Sequence, residues 1–105
     1  MKIEVLYFED CPNHVPTLER IRTVLREESC DAEISEVLVP NREAAHSSRF
    51  LGSPTVRVDG IDIEPAANER QDFGFMCRRY SSGLPSRELI RNAIRSASAI
   101  EETSQ

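Results

Sequence analysis

The order of apolar patterns along the chain predicts an α/β fold built on a mixed, four-stranded sheet, and three observations carry that prediction. A compact run of β-formers, Ile3 to Phe8, gives way at once to helical spacing in Val15, Leu18, Ile21, Val24 and Leu25. Asp59-Gly60 falls between Val58 and Ile61, the signature of a two-residue hairpin whose turn needs positive φ at both positions. Near the C-terminus Leu89, Ile90, Ala93, Ile94 and Ala97 share one helical face. Strands joined through a helix are expected to be parallel, the hairpin antiparallel, and the helices to bury their apolar faces on the sheet, which makes an α/β sandwich.

Each element follows from local chemistry. The first helix starts with either Cys11 or Asn13 as cap. In the first case Pro12 takes the first helical position and Pro16 kinks the helix, and in the second Pro16 sits in the tolerant first turn. It fades near Ser29. Asp31 to Val39 is a second strand whose interspersed Glu33, Ser35 and Glu36 suggest an edge or a bulge. Asn41 caps a short helix to about Phe50, with Gly52 expected in the usual C-terminal position. Ser53 to Val58 is a strand opened by Pro54, where a missing donor does least harm, and Ile61 to Ile63 returns. Pro65-Ala66-Ala67 opens a helical turn, Phe73, Phe75, Met76 and Tyr80 carry a partly helical pattern around Cys77, and residues 81–85 form a loop. Ser86 caps the final helix.

At 105 residues the chain is expected to be one domain, residues 1–100, with a polar tail, 101–105, that frays. A net charge of −5, with basic and acidic residues interspersed, argues against a nucleic-acid partner. No apolar run approaches bilayer length and no leader pattern is present, so no membrane partner is expected and the reading is a soluble, cytoplasmic protein. In that compartment three cysteines are thiols or transient disulfides rather than a permanent framework. Oligomeric state is not legible.

The chemistry concentrates at Glu9-Asp10-Cys11-Pro12-Asn13-His14. A cysteine at a strand-to-helix junction lies near unpaired N–H groups and the positive end of the helix dipole, which favour a thiolate. His14, one turn on, stabilises that thiolate or shuttles its proton if its ring faces the sulfur, and is a solvated helix residue if not. Glu9 and Asp10 oppose both effects. The plain alternative is a capping cysteine beside a surface histidine.

The element order, with a cysteine after the first strand and Ser53-Pro54-Thr55 before the hairpin, resembles the thioredoxin fold over almost the whole chain, with residues 65–85 as an added segment. The resemblance implies a three-layer α/β sandwich. It maps the active cysteine to Cys11 and a cis proline facing it to Pro54, and puts Pro12, Ser53, Pro54 and Thr55 in a substrate-binding role. Dithiol members carry Cys-x-x-Cys where this chain has Cys11-Pro12-Asn13-His14, so the analogy moves toward monothiol members such as single-cysteine glutaredoxins. Cys-Pro-Asn-His, Gly52-Ser53-Pro54-Thr55-Val56 and Asp72-Phe73 followed by Cys77-Arg78-Arg79-Tyr80 also look like a small bacterial thioredoxin-like group, some members of which are labelled DF-family selenoproteins or associated with alkylmercury lyase.

These residues imply a thiol-disulfide oxidoreductase-like protein in which Cys11 attacks a protein or glutathione-like disulfide and Cys77 or an external thiol releases it. The expected catalytic set is Cys11, His14 and Cys77, with no resident cofactor. Two alternatives stand: a soft-metal module in which Cys11, His14 and Cys77 hold mercury, zinc or an iron-sulfur cluster, and a non-catalytic interaction domain. Phe75 and Met76 suit a core role for Cys77, whereas Arg78 and Arg79 suggest a cationic setting. In the resembled fold the added segment can cross the end of the sheet where Cys11 lies, anchored by Phe73, Phe75 and Met76, and bring Cys77 within reach of Cys11. Cys30, at the far end of the first helix, is expected roughly 25 to 30 Å from Cys11 and reads as a small buried residue. His46 reads as surface.

Overall fold

The computed structural model describes residues 1–81 and 83–103, with the side chains of the described residues up to 100. The expectations for Ser82 and for the tail residues Ser104 and Gln105 lie outside the described residues. The chain runs β1 (Lys2–Tyr7), α1 (His14–Glu27), β2 (Glu33–Leu38), α2 (Arg42–Ser47), β3 (Thr55–Val58), β4 (Ile61–Asp62), a 3₁₀ turn (Pro65–Glu69) and α3 (Arg87–Thr103). One mixed sheet has the order β2-β1-β3-β4. β1 and β2 are parallel, and the β1–β3 and β3–β4 pairs are antiparallel.

Alternation along β1 places Ile3 and Val5 on one face and Leu6 on the other. The first face packs with Val56 and Val58 against Leu18, Ile21, Val24 and Leu25 of α1 and Ile90, Ile94 and Ala97 of α3. The second packs Leu6 against Val39, Ala45 and Phe50 around α2. Helices therefore cover both faces, with β2 at one edge and its burial broken by Glu33 and Glu36, as its composition suggested.

Both α1 and α2 end in the same way. After α1 the left-handed residue is Ser29 (φ 49), and the N–H groups of Ser29 and Cys30 bond the carbonyls of Arg26 and Leu25. After α2 it is Arg49 (φ 58), with Arg49 and Phe50 donating to His46 and Ala45. Arg49, not Gly52, thus closes α2. Asn41 caps that helix as expected, its Oδ1 accepting from Ala44 N at 2.8 Å. The hairpin turn carries Asp59 at φ 51 and Gly60 at φ 84, in line with its sequence signature.

Of the two starts open to α1 the second holds: the helix begins at His14 behind Asn13, so Cys11 is not its cap, Pro12 is not its first residue and Pro16 lies in the first turn. Residues 70–81 contain no helix; they form an extended strap that is bridged to Ser53 at Cys77. Of its expected anchors Phe75 and Met76 are exposed and Phe73 is half-buried, while Arg78 and Tyr80 are buried.

Candidate functional site

The strand-to-helix junction is built by a turn in which Cys11 N donates to Phe8 O at 3.3 Å, with Asp10 left-handed at φ 66. Asp tolerates that conformation better than most residues because its short side chain bonds locally. Cys11 then accepts at its carbonyl from His14 N at 3.3 Å and is 9 % exposed. This geometry weakens the expected dipole effect. Of the first three helical residues, His14 has its N–H engaged and Pro16 has none, which leaves Val15. The effect also falls off within the first turn, outside which Cys11 lies.

His14 is held from two sides. Its ring stacks on Tyr7 with centroids 3.6 Å apart and 10° between planes, and its Nε2 lies 2.8 Å from Glu36 Oε1 on β2. Nε2 is buried without an aligned hydrogen bond, so the carboxylate oxygen sits off the N–H direction. Glu36 is a partner that sequence reasoning missed. One of two acids in an edge strand, Glu36 gave no sign of facing the helix start, because the register that places it there is a parallel, non-local pairing.

Ser53 links the junction to the strap. Its Oγ accepts from Phe8 N at 3.2 Å, its N–H donates to Met76 O at 2.8 Å, and its carbonyl accepts from Arg78 N at 2.9 Å. This parallel bridge sets Ser53 beside Cys77. The Ser53–Pro54 bond is cis, as the motif suggested. Phe75 of the strap meets Phe8 with ring centroids 5.3 Å apart. Hence the strap crosses the end of the sheet at which Cys11 lies, carrying an exposed Cys77 while Cys11 is buried.

No family model, curated protein or solved structure matches the chain.

The residues expected to bind substrate are occupied by the chain itself. Besides Ser53, the Pro54 carbonyl accepts from Tyr80 OH at 2.8 Å, and Thr55 Oγ1 donates to Gly52 O at 2.6 Å while receiving Arg78 Nη1 at 3.3 Å. Only Pro12 is exposed. Arg78 locks the strap: it bonds both Asp62 oxygens at 2.6 and 2.8 Å and Glu64 at 2.7 Å, and lies over the Tyr80 ring. Burial would lower the Arg78 pKa, but the carboxylates outweigh it and hold the guanidinium charged. The expected cationic setting around Cys77 is therefore reduced to exposed Arg79, because the charge of Arg78 is neutralised inside. Gly52 permits this docking. At φ 115 a Cβ there would lie 2.9 Å from Arg78 backbone N.

Cys30 sits after α1 with its sulfur 4.0 Å from Met1 Sδ, at the opposite end of β1 from the Cys11 turn, and His46 is exposed. Among the described residues no three His, Cys, Asp or Glu side chains are grouped to hold a metal ion. No helix among the described residues is long and apolar enough to cross a membrane.

Proposed function

We propose that the chain is a thiol-disulfide oxidoreductase-like protein of thioredoxin-like architecture, with Cys11 as the nucleophilic thiolate, His14 as its polar neighbour and Cys77 as the resolving thiol. The observation that carries this reading is the Ser53–Cys77 bridge, which brings a second thiol to the end of the sheet where the Cys11 turn is anchored through Phe8 and Ser53. The Cys11 thiolate attacks a substrate disulfide, forms a mixed disulfide and expels one substrate thiolate, which takes up a proton. The Cys77 thiolate then attacks Cys11 Sγ, forming a Cys11–Cys77 disulfide and expelling the second substrate thiol. Two electrons pass from the protein dithiol to the substrate, and an external dithiol restores the reduced form. Exposure adds a condition: Cys77 is open in the resting protein and Cys11 is buried, so a large substrate engages Cys11 only when the turn that carries it opens.

Mild oxidation followed by digestion without reduction tests the pairing. A peptide pair joined through Cys11 and Cys77 is expected. Intermolecular or small-thiol adducts alone, with turnover of a model disulfide unchanged in Cys77→Ser, would leave Cys11 as a monothiol. No loss of turnover in Cys11→Ser would remove the proposal.

A further inference from the structure

A second feature lies on the α2 face of the sheet. A cavity of about 140 Å³ opens between the end of α2, the hairpin and the start of the strap, lined by Arg49, Arg57, Arg70, Asp62, Ala67 and Phe73. Three arginines line it in a chain whose acidic residues outnumber its basic ones, 18 to 13.

The charges around the cavity are unevenly matched. Both Asp62 oxygens are taken by Arg78, and Arg70 is paired with Asp72. Arg57 Nη2 donates to the carbonyls of Ser48 and Arg49 at 2.7 and 2.9 Å, and its other N–H groups make no hydrogen bond among the described residues. The Arg49 guanidinium lies 5.3 Å from the centroid of the Phe73 ring. Among the described residues neither Arg49 nor Arg57 has a carboxylate within ion-pair distance. Glu4 stands opposite Arg57 in the β1–β3 register without closing that gap.

We propose that this cavity binds a small tetrahedral oxyanion, a phosphate group, held by Arg49 and Arg57 with Arg70 at the rim. Planar guanidinium forks match the oxygen spacing of phosphate and bind it through charge-assisted hydrogen bonds. An anion between Arg49 and Arg57 replaces their mutual repulsion with attraction. Size limits the ligand, since the cavity is well below the roughly 300–1,000 Å³ that encloses a whole drug-sized molecule. The site therefore suits a single phosphate and not an entire nucleotide. Burial lowers the Arg57 pKa; Asp62 and then Glu4 oppose it, and Arg78 and Arg49 add smaller lowering effects. The site is independent of the thiol chemistry proposed for Cys11.

Titration of inorganic phosphate into the full chain, by calorimetry and by thermal unfolding at ionic strength held constant with potassium chloride, tests the proposal. Saturable binding and a saturable rise in Tm are expected. Arg57 also caps α2, so Arg49→Gln is the informative variant; losing one charge-assisted contact should weaken phosphate binding by about tenfold or more. Arg22→Gln, on α1, should leave binding unchanged. A response that fails to saturate, that chloride reproduces, or that Arg49→Gln leaves intact overturns the site. Phosphoserine that displaces phosphate supports a site reading a phosphate ester; phosphoserine that does not compete, while phosphate saturates, supports free phosphate as the ligand.

Discussion

Arg78 keeps only 4 % of its surface in solvent, and a charge so placed persists because Asp62, Glu64 and Thr55 replace its water shell. Removing one partner leaves the other charge buried without compensation. Asp62→Ala is therefore expected to cost about 3–5 kcal/mol in chemical denaturation, whereas Arg79→Ala, at an exposed position, should stay within about 0.5 kcal/mol. Equal effects of the two would show that the lock contributes nothing. At the thiol the interactions are weaker. His14→Ala is expected to slow alkylation of Cys11 near neutral pH by about two- to fivefold, the size of a 0.3–1 kcal/mol electrostatic contact. That measurement is best made with Cys30 and Cys77 replaced by serine, and an unchanged rate would assign His14 to packing on Tyr7 and pairing with Glu36.

The strap and the hairpin it covers behave as one unit, because the hairpin supplies Asp62 and Glu64 flanks it while the strap supplies Arg78. Gly52, just before β3, lies close against the strap at Arg78. In Gly52→Ala a Cβ meets Arg78 backbone at 2.9 Å on a residue already at φ 115, so the strap must shift. The expected outcome is loss of stability together with faster hydrogen exchange at Arg78, whose N–H is bonded to Ser53 O. Exchange that rises equally in α1 would mean global weakening and not strap release. The elements that the strap covers were legible from sequence: the hairpin by Asp59-Gly60, β3 by its β-branched residues and α2 by Asn41. The strap was legible only in part: its crossing of the sheet end near Cys11 was expected from topology, but its partly helical pattern and its expected anchors Phe73, Phe75 and Met76 were not what docks it, because an extended segment held through Arg78 and Tyr80 has no local period to read.

Across the whole molecule, charge closes the gap between the end of α1 and the middle of α3. Glu28 bonds Arg95 at 2.6 and 3.2 Å, and Glu27 bonds Arg91 at 3.2 Å. The Arg95 hydrogen bonds hold the Glu28 carboxyl below its ordinary value, outweighing partial desolvation. A lowered folded-state pKa stabilises the fold above the ordinary carboxylate range, and the contribution is lost as pH falls through the folded-state value. Glu28→Gln should accordingly flatten the acid limb of a denaturation-midpoint profile; an unchanged limb would show that the clasp is screened by solvent. Tyr80 acts at the other end. Burial raises its phenol above the ordinary value, with Arg78 opposing, so its contribution is complete below about pH 10 and is lost as pH rises through the folded-state value. Tyr80→Phe should remove that alkaline loss, as read by the same denaturation profile. The sequence by itself determined the α/β class, the strand and helix order, the parallel β1–β2 pair and the antiparallel hairpin, because periodicity, capping residues and turn chemistry act over a few neighbouring residues; the cis Ser53–Pro54 bond was implied only by the resemblance of its motif. Only the tertiary structure decided that Cys11 lies before the helix, that Ser53 pairs with the strap beside Cys77, that Glu36 faces His14 and that the charge of Arg78 turns inward. Each of these depends on which distant segment satisfies a buried polar group, and the partners, such as Arg78 and Asp62 or His14 and Glu36, are separated by many residues that carry no record of the pairing.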